Sequence, residues 1–364
     1  MYLVFIFILL LLSYLIVTYT DMRCTKLNLY LFYVWIMIFF LLSFLRWDRG
    51  ADWMSYYDYF LNFTKPDEGM FFEFGYQYLS CFIRNVFNNY TILLFVQSLI
   101  IYFSFLITIR NFSLNPVFSL LIFFSIIFAD IYFVRQNVAI AITFFSFNYI
   151  YKKRILVFIL FVLLASSIHV TSIIFILAYP IYYLRLSRKS LFVLFIFFIG
   201  SIFFIEPLLI YFSNSFDSIV SFKIARYIAL AEDPAKTGAN DGVTLIDLLI
   251  KGMISRFVIL IAILGLLNTL RMNNKLLNGI SNFYIFGCFC YFSLAPLGIA
   301  FARVVNYYEI FIILIIPYLF RTLTSKRIKL LMLIFVISYC SIRFISGYNR
   351  HPTLYSPYKS IFYK

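Results

Sequence analysis

The sequence predicts an all-α, polytopic integral membrane protein, and three observations lead to that prediction. Of the 364 residues, 64% are hydrophobic and only 12% are charged, which is too apolar a composition for a soluble globular protein. The apolar residues form long continuous runs, most of them close to the roughly 20 residues that a membrane-spanning helix needs. A transmembrane β-barrel would instead show short segments of alternating polarity separated by turns.

Eleven apolar runs are predicted to lie in the membrane, and the basic residues between them predict the orientation, because Lys and Arg in short loops mark the cytoplasmic side. The run 155–184 has a basic cluster at each end, so we expect a hairpin that turns near residues 166–169 and twelve passes in total. The runs are residues 2–19, 29–45, 91–109, 116–131, 134–151, 155–184, 191–212, 253–270, 280–299, 304–320 and 330–345.

Residues 1–364 are predicted to form a single transmembrane domain of the inner membrane, with two long polar loops on its outer, periplasmic face. The first outer loop is residues 46–90. The second, residues 213–252, contains the turn-rich stretch 233–242 and is a candidate lid. The formal net charge of +15 falls mainly in predicted cytoplasmic loops, and no soluble basic face is visible, so we expect no nucleic-acid partner.

No sequence pattern indicates a metal or cofactor site. The five cysteines form no Cys-x-x-Cys pair and mostly lie in apolar runs, where a thiol behaves as a small hydrophobe. The sequence also lacks a Walker-type phosphate loop, a dinucleotide fingerprint, a His-Glu-x-x-His zinc helix and a nucleophile elbow. We therefore predict no metal, no cofactor and no coupling to ATP within this chain.

The first outer loop is predicted to contain a short interfacial helix with carboxylate and aromatic side chains on one face. Asp52, Tyr56 and either Tyr59 or Phe60 are spaced i, i+4 and i+7 or i+8, which places them together on a helix. Aromatic rings beside a carboxylate suit the apolar face and hydroxyl rim of a sugar. The alternative is an aromatic anchor at the membrane interface with ordinary salt bridges.

Four arginines are predicted at the outer face. Arg46 and Arg49 lie in the first outer loop, Arg135 begins a span with Gln136 beside it, and Arg303 lies near the start of a late span. Arginine suits a phosphate ligand, because its guanidinium donates two hydrogen bonds in a fork and stays charged. For any one of them, snorkelling to lipid headgroups is the alternative.

His169 is the only histidine inside an apolar run. Histidine titrates near neutral pH, so it can take a proton from a hydroxyl and return it, which makes His169 a candidate general base. A histidine in a helix is more often a structural hydrogen-bonding residue. The predicted hairpin favours the functional interpretation, because it places His169 at the level of the outer arginines.

Four short motifs together resemble the EpsG family, which is grouped with the Wzy-type polymerases of bacterial O-antigen and exopolysaccharide. One departure is Phe74, where that family usually has proline. The motifs are Arg46-x-Asp48-x-Gly50-x-Asp52-Trp53-x-x-Tyr56, Glu73-x-Gly75-Tyr76, Arg135-Gln136-x-x-Ala139 and Ala165-x-x-x-His169 followed by Thr171-Ser172.

The resemblance implies a metal-independent membrane glycosyltransferase of the GT-C type. Such an enzyme moves a growing glycan from undecaprenyl diphosphate to the terminal sugar of a lipid-linked repeat unit, with membrane lipid and sometimes a chain-length regulator and a flippase as partners. Arg135 and Arg303 would then bind the diphosphate, with Arg46 or Arg49 assisting. His169 would be the base. The remaining implied substrate-site residues are Gln136, Tyr56, and Asp52 or Glu73, either of which would orient the acceptor or replace His169.

Other classes remain open at this point. An O-antigen ligase uses the same donor with a lipid A core acceptor, so it needs a similar outer site. A glycan flippase or transporter should have polar residues along a path through the membrane, whereas the inner halves of these spans are nearly free of charge. An acyltransferase is expected to have a histidine in a funnel that opens to the cytoplasm.

Overall fold

The computed structural model of the chain is helical throughout the part that it describes. Within that part the fold is all-α, as predicted, and the only extended pairing is an isolated antiparallel bridge between Arg46 and Ser360. The described residues are 2–19, 26–50, 53–66, 72–127, 135–201, 203–215, 221, 224–225, 228, 245–270, 274–297, 299–323, 325–350 and 356–362.

The helices follow one another along the chain with short connections. A 3-10 helix, Val170–Leu177, lies between α8 and α9, and 3-10 turns occur at Ala295–Leu297 and Arg303–Val305. The α-helices are α1 Tyr2–Tyr19, α2 Lys26–Phe44, α3 Trp53–Asn62, α4 Phe74–Phe87, α5 Tyr90–Phe112, α6 Pro116–Ile127, α7 Arg135–Tyr151, α8 Ile155–Ile168, α9 Ala178–Tyr183, α10 Arg188–Ser201, α11 Ile205–Ser215, α12 Leu245–Leu270, α13 Lys275–Leu294, α14 Ile299–Ala302, α15 Asn306–Glu309, α16 Ile312–Thr322 and α17 Lys326–Arg350.

The multi-pass membrane class is confirmed by the length and composition of these helices. Among the described residues, five segments are long and apolar enough to cross a bilayer, and shorter apolar helices accompany them. The number of passes stays a prediction. The five segments are Lys26–Phe44, Tyr90–Phe112, Lys275–Leu297, Arg303–Thr322 and Lys326–Asn349.

Among the described residues, at least three of the predicted runs are interrupted, and one of these is the run 304–320, in which α15 ends at Glu309 and α16 begins at Ile312. The run 191–212 is two helices rather than one, because α10 ends at Ser201 and α11 begins at Ile205, with Pro207 in the first turn of α11, where a proline is tolerated. The run 155–184 breaks at His169, which has an extended backbone at φ −148° and ψ 108°. That break falls inside the predicted turn region, while the hairpin itself stays a prediction.

The chain forms two compact units. Unit 1 consists of Met1–Ile173 and Ile312–Lys364, and unit 2 is Ile174–Phe311. In unit 1, α7 packs between α5 and α8, α6 packs against α1, α2, α16 and α17, and α4 packs against α5 and α8. Helix α7 is buried along most of its length, and its small residues Ala139 and Ala141 are fully buried. Small side chains of this kind let neighbouring helices approach closely.

Polar contacts in unit 1 join the ends of several helices. At the predicted cytoplasmic ends, Asn28 donates to Asn115 at 3.2 Å and Asn111 donates to Asn148 at 2.9 Å. The contacts at the predicted outer ends join the first outer loop to α7 and α8 and also to the tail 356–362. The side of the membrane on which this loop and the tail lie stays a prediction.

Helix α13 is the centre of unit 2. It packs against α9, α10, α12 and α15, and it is buried along most of its length. The Asn282 side chain donates to the carbonyls of Ile181 at 3.1 Å and Leu184 at 2.8 Å, so it satisfies backbone acceptors at the end of α9. These contacts fix α9 against α13.

The packing of α4 on α8 predicts the effect of a single methyl group. A Cβ added to Gly75 would overlap Ser167 Oγ and lie 2.7 Å from the Ser167 carbonyl oxygen, and a backbone atom cannot move aside cheaply. We expect Gly75→Ala to destabilise the protein by about 1–3 kcal/mol, measured as a lower melting temperature in detergent. The control is Gly200→Ala, also in a helix, because a Cβ there would have nothing within 4 Å. Equal melting temperatures for the two variants would contradict this packing.

Candidate functional site

Arg135 is the centre of a charged cluster in unit 1. It is the first residue of α7, and its side chain is 16% exposed. Its Nε donates to the Tyr56 hydroxyl at 3.1 Å, and its Nη1 donates to Glu73 Oε2 at 2.6 Å. The guanidinium is therefore fixed on two sides, from α3 and from the residue that precedes α4.

The Glu73 carboxylate connects three segments of unit 1. One oxygen accepts from Arg135, and the other accepts from the Val170 backbone N–H at 3.1 Å. The Glu73 side chain is only 4% exposed, so both hydrogen bonds are shielded from water. Shielding strengthens a charge-assisted hydrogen bond and makes the loss of either partner costly.

Aromatic rings surround the Arg135 guanidinium. Its Cζ lies 4.3 Å from the ring centre of Phe72, 5.4 Å from that of Tyr56 and 5.7 Å from that of Tyr76, which are cation–π distances. Burial raises the pKa of the Tyr76 hydroxyl well above its ordinary value, and the nearby Tyr90 and Tyr56 raise it further. Tyr76 therefore stays neutral and adds no negative charge to the site.

Arg135 keeps N–H groups available for a ligand. A guanidinium has five N–H donors, and the contacts with described residues use one on Nε and one on Nη1. Two donors on Nη2 and one on Nη1 remain. Two N–H groups on neighbouring nitrogens match two oxygens of one phosphate, so the cluster can bind a phosphate while Glu73 holds the guanidinium in place.

His169 is adjacent to this cluster along the chain. It ends α8, and the next residue, Val170, donates its backbone N–H to Glu73. The imidazole Nδ1 is 2.7 Å from the Thr171 hydroxyl oxygen, and the side chain is partly exposed. A hydrogen bond at one ring nitrogen fixes the orientation of the ring.

The structure places Arg46 and Arg49 in contact with backbone carbonyls. Arg46 is 3% exposed, and its Nη1 donates to Ser43 O at 3.1 Å. Arg49 Nε donates to the Pro357 carbonyl at 2.7 Å, so it holds the tail. Beside it, Lys359 and Asp48 form an exposed salt bridge at 2.7 Å. These contacts explain how the first outer loop is fixed, and a role for either arginine at a diphosphate stays a prediction.

The other predicted site residues do not all lie beside Arg135. Tyr56, Tyr59 and Phe60 lie on one face of α3 as predicted, but that face is buried, and Tyr56 and Tyr59 pack against Phe72 and Tyr76. The rings therefore form a wall around Arg135. Gln136 follows Arg135 and is partly exposed. Arg303 belongs to unit 2, where it is exposed. Asp52 and most of the candidate lid lie outside the described residues.

Two features of unit 1 and one of unit 2 were not predicted. Phe72 has no motif of its own, and the tail 356–362 has no feature that indicates a contact with the first outer loop. In unit 2, Arg256 forms an ion pair with Glu309. A charged residue inside an apolar helix is itself a signal, and it could have identified Arg256 from the sequence.

Metal ligands are not grouped in the described part of the chain. Among those residues, no three His, Cys, Asp or Glu side chains are close enough together to hold a metal ion.

The fold and this cluster define a multi-pass, all-α membrane protein with a buried arginine–glutamate pair at one end of its helices. The chain belongs to the EpsG family, whose family model matches residues 29–360, nearly the whole sequence. The predicted resemblance is therefore confirmed and extends well beyond the four motifs. Membership of this Wzy-type, polymerase-like family supports a polysaccharide polymerase-like role in general. Neither the curated proteins nor the solved structures include a match to the chain.

The two hydrogen bonds of Glu73 predict an order of stability. Glu73→Gln keeps an oxygen for the Val170 N–H but removes the charge, whereas Glu73→Leu removes both and leaves Arg135 without its carboxylate. We expect the leucine variant to lose about 1–3 kcal/mol of unfolding free energy and the glutamine variant less, measured by thermal unfolding in detergent.

The exposed salt bridge between Asp48 and Lys359 supplies the control. Asp48→Asn breaks an ion pair whose side chains are 43% and 45% exposed, and such pairs contribute at most about 1 kcal/mol. The Asp48 variant should therefore unfold close to the wild-type temperature. A Glu73→Leu variant that is as stable as Asp48→Asn would show that the carboxylate does not hold the cluster together.

Proposed function

We propose that the protein is a polysaccharide polymerase that acts on lipid-linked repeat units at the periplasmic face of the inner membrane. It transfers the growing glycan from undecaprenyl diphosphate to the terminal sugar of a new repeat unit. The observation that carries this proposal is the Arg135 guanidinium, which is held by Glu73 and Tyr56 with donors still available for phosphate. The family of the chain supports the same class of reaction.

In this reaction, the group that needs stabilisation is the leaving diphosphate. The bond between the anomeric carbon of the donor sugar and the diphosphate oxygen breaks, and a hydroxyl oxygen of the acceptor sugar forms the new glycosidic bond. Negative charge grows on the departing diphosphate. Arg135 is fixed before the reaction begins, so it can stabilise that charge without reorganisation, which is the most effective form of electrostatic catalysis.

The proton of the attacking hydroxyl needs an acceptor, and His169 is the residue that we assign. Both Glu73 oxygens already accept hydrogen bonds, one from Arg135 and one from Val170, so Glu73 is better placed to orient Arg135 than to take a proton. His169 lies one residue before Val170, and the contact of its Nδ1 with the Thr171 hydroxyl orients the ring. General-base catalysis of this kind contributes about 10²–10⁴-fold.

Replacement of Arg135 tests the proposed site. Arg135→Ala should lower the rate of polymer formation from purified lipid-linked repeat units about 100-fold or more, because a preorganised donor to the developing charge is lost. Arg135→Lys keeps the charge but not the fork of donors and should retain an intermediate rate. The readout is the length distribution of labelled glycan on a gel.

Arg110→Ala is the matched control, because Arg110 is an exposed arginine at the opposite end of α5 and should leave the rate unchanged. Full-length polymer from the Arg135→Ala variant would remove the site. In cells, loss of the polymer ladder with single repeats still attached to the lipid A core indicates a polymerase. Loss of both indicates an O-antigen ligase.

The outer location of the site has its own test in intact cells. Lys65→Cys lies in the first outer loop and Lys152→Cys lies at the end of α7, and both native lysines are exposed. A membrane-impermeant maleimide should label position 65 in intact cells and position 152 only after permeabilisation. The reverse pattern would place Arg135 on the cytoplasmic side and contradict periplasmic chemistry.

A further inference from the structure

Unit 2 contains a second arginine–glutamate pair, Arg256 with Glu309. The Glu309 carboxylate accepts from both Nε and Nη2 of Arg256, with the second distance at 2.8 Å. The Arg256 Nη1 donates to the Gly252 carbonyl, one turn earlier in α12, at 3.1 Å. The two side chains are only 14% and 16% exposed, so this ion pair is nearly as shielded as the pair in unit 1.

The neighbouring residues pack closely around the Arg256 guanidinium. The ring of Tyr291 lies beneath the guanidinium, with Arg256 Cζ 3.6 Å from the ring centre. A Cβ added to Gly252 would overlap the Tyr291 hydroxyl, and one added to Gly287 would lie 3.0 Å from Tyr308 Cβ. Glycine at these two positions lets Tyr291 and the segment that carries Glu309 approach closely. The guanidinium is thus held by a carboxylate, a carbonyl and a ring.

Stability alone does not account for this arrangement. The pair lies beside an apolar cluster of Cys290, Tyr291, Ala295 and Val305, and an arginine at bilayer depth costs about 2.5–3.5 kcal/mol on the insertion scale. Buried ion pairs can often be replaced by apolar side chains of similar volume with no loss of stability. An ion pair in such surroundings is therefore expected to have a function.

The chemistry that Arg256 can offer is the same as that of Arg135. Its contacts with described residues use three of the five N–H donors, which leaves one on each terminal nitrogen. Two donors on neighbouring nitrogens suit two oxygens of one phosphate. Each unit therefore holds a guanidinium that is paired with glutamate, faces an aromatic ring and keeps donors for an anion.

We propose that Arg256, oriented by Glu309 and Tyr291, is a second diphosphate-binding site, which takes the lipid diphosphate of the acceptor repeat unit. The proposal rests on the proposed function, because that reaction has two lipid-diphosphate-linked substrates, a donor and an acceptor. The donor diphosphate leaves and gains charge, which is the task of Arg135. The acceptor keeps its diphosphate bond intact, so Arg256 has only to bind and position it.

Counting bound lipid tests this second site. The full chain in phosphatidylcholine nanodiscs is titrated with undecaprenyl diphosphate, and bound lipid is counted by native mass spectrometry. The wild type should bind two molecules per chain. A double variant, Arg256→Leu with Glu309→Leu, should bind one, and it leaves no unpaired buried charge that would unfold the protein. Adding Arg135→Ala should remove the remaining molecule.

The outcomes separate this inference from the proposed function. Arg185→Ala, an exposed arginine in the same unit, is the control and should keep two bound lipids. A wild type that binds one lipid, lost only with Arg135→Ala, overturns the second site and leaves the proposed function intact. Unchanged binding in the Arg256 and Glu309 double variant also overturns it. Displacement of the second lipid by phosphatidylglycerol at equal concentration would show a general anionic-lipid site and overturn it too.

A kinetic measurement gives an independent readout. At saturating acceptor, the double variant should form polymer at close to the wild-type rate, and its KM for the lipid-linked repeat unit should rise about 10-fold or more, because only binding is lost. Arg135→Ala should instead lower kcat. A double variant that lowers kcat with an unchanged KM would show that Arg256 acts on the departing group, which contradicts the assignment to the acceptor.

Discussion

The Glu73 carboxylate is the interaction on which the rest of unit 1 depends. It bonds Arg135, which is 62 residues away in sequence, and Val170, which is 97 residues away. A single buried carboxylate therefore joins the first outer loop, the start of α7 and the end of α8. The close fit of Gly75 against Ser167 makes this possible, because it brings the N-terminal end of α4 directly onto α8. The packing of α4 on α8 therefore also determines the geometry of the site.

The helical framework could be predicted because a bilayer leaves the backbone few choices. Every N–H and C=O in an apolar solvent needs an internal partner, so a long apolar run becomes a helix. The first run and α1 both cover residues 2–19. Hydropathy fails where backbone geometry decides the outcome, as between Ser201 and Ile205, where the sequence stays apolar although the helix stops. Pro207 was the available signal, since proline is favoured in a first helical turn.

The candidate site was predictable by residue type but not by partner. Arg135 and His169 were identified because charged and titratable groups are costly in a membrane, and Glu73 was identified from the family motif that contains it. What each one contacts depends on residues far away in the sequence. The Tyr56 hydroxyl accepts from Arg135, which is 79 residues away, and Arg49 donates to Pro357, which is 308 residues away. Arg256 could have been identified from its charge within an apolar helix, but its pairing with Glu309, which is 53 residues away, could not.

The tail 356–362 has a consequence for the way this protein is made. The Trp47 N–H donates to the Lys359 carbonyl at 2.8 Å, and the Ile361 N–H donates to the Leu45 carbonyl at 2.9 Å, so the first outer loop is completed by a much later segment. Lys359 follows Asp48 by 311 residues, and at about 5–20 residues per second the ribosome needs about 15–60 s to cover that distance. Until the tail has been synthesised, the first outer loop lacks its hydrogen bonds to residues 357–361.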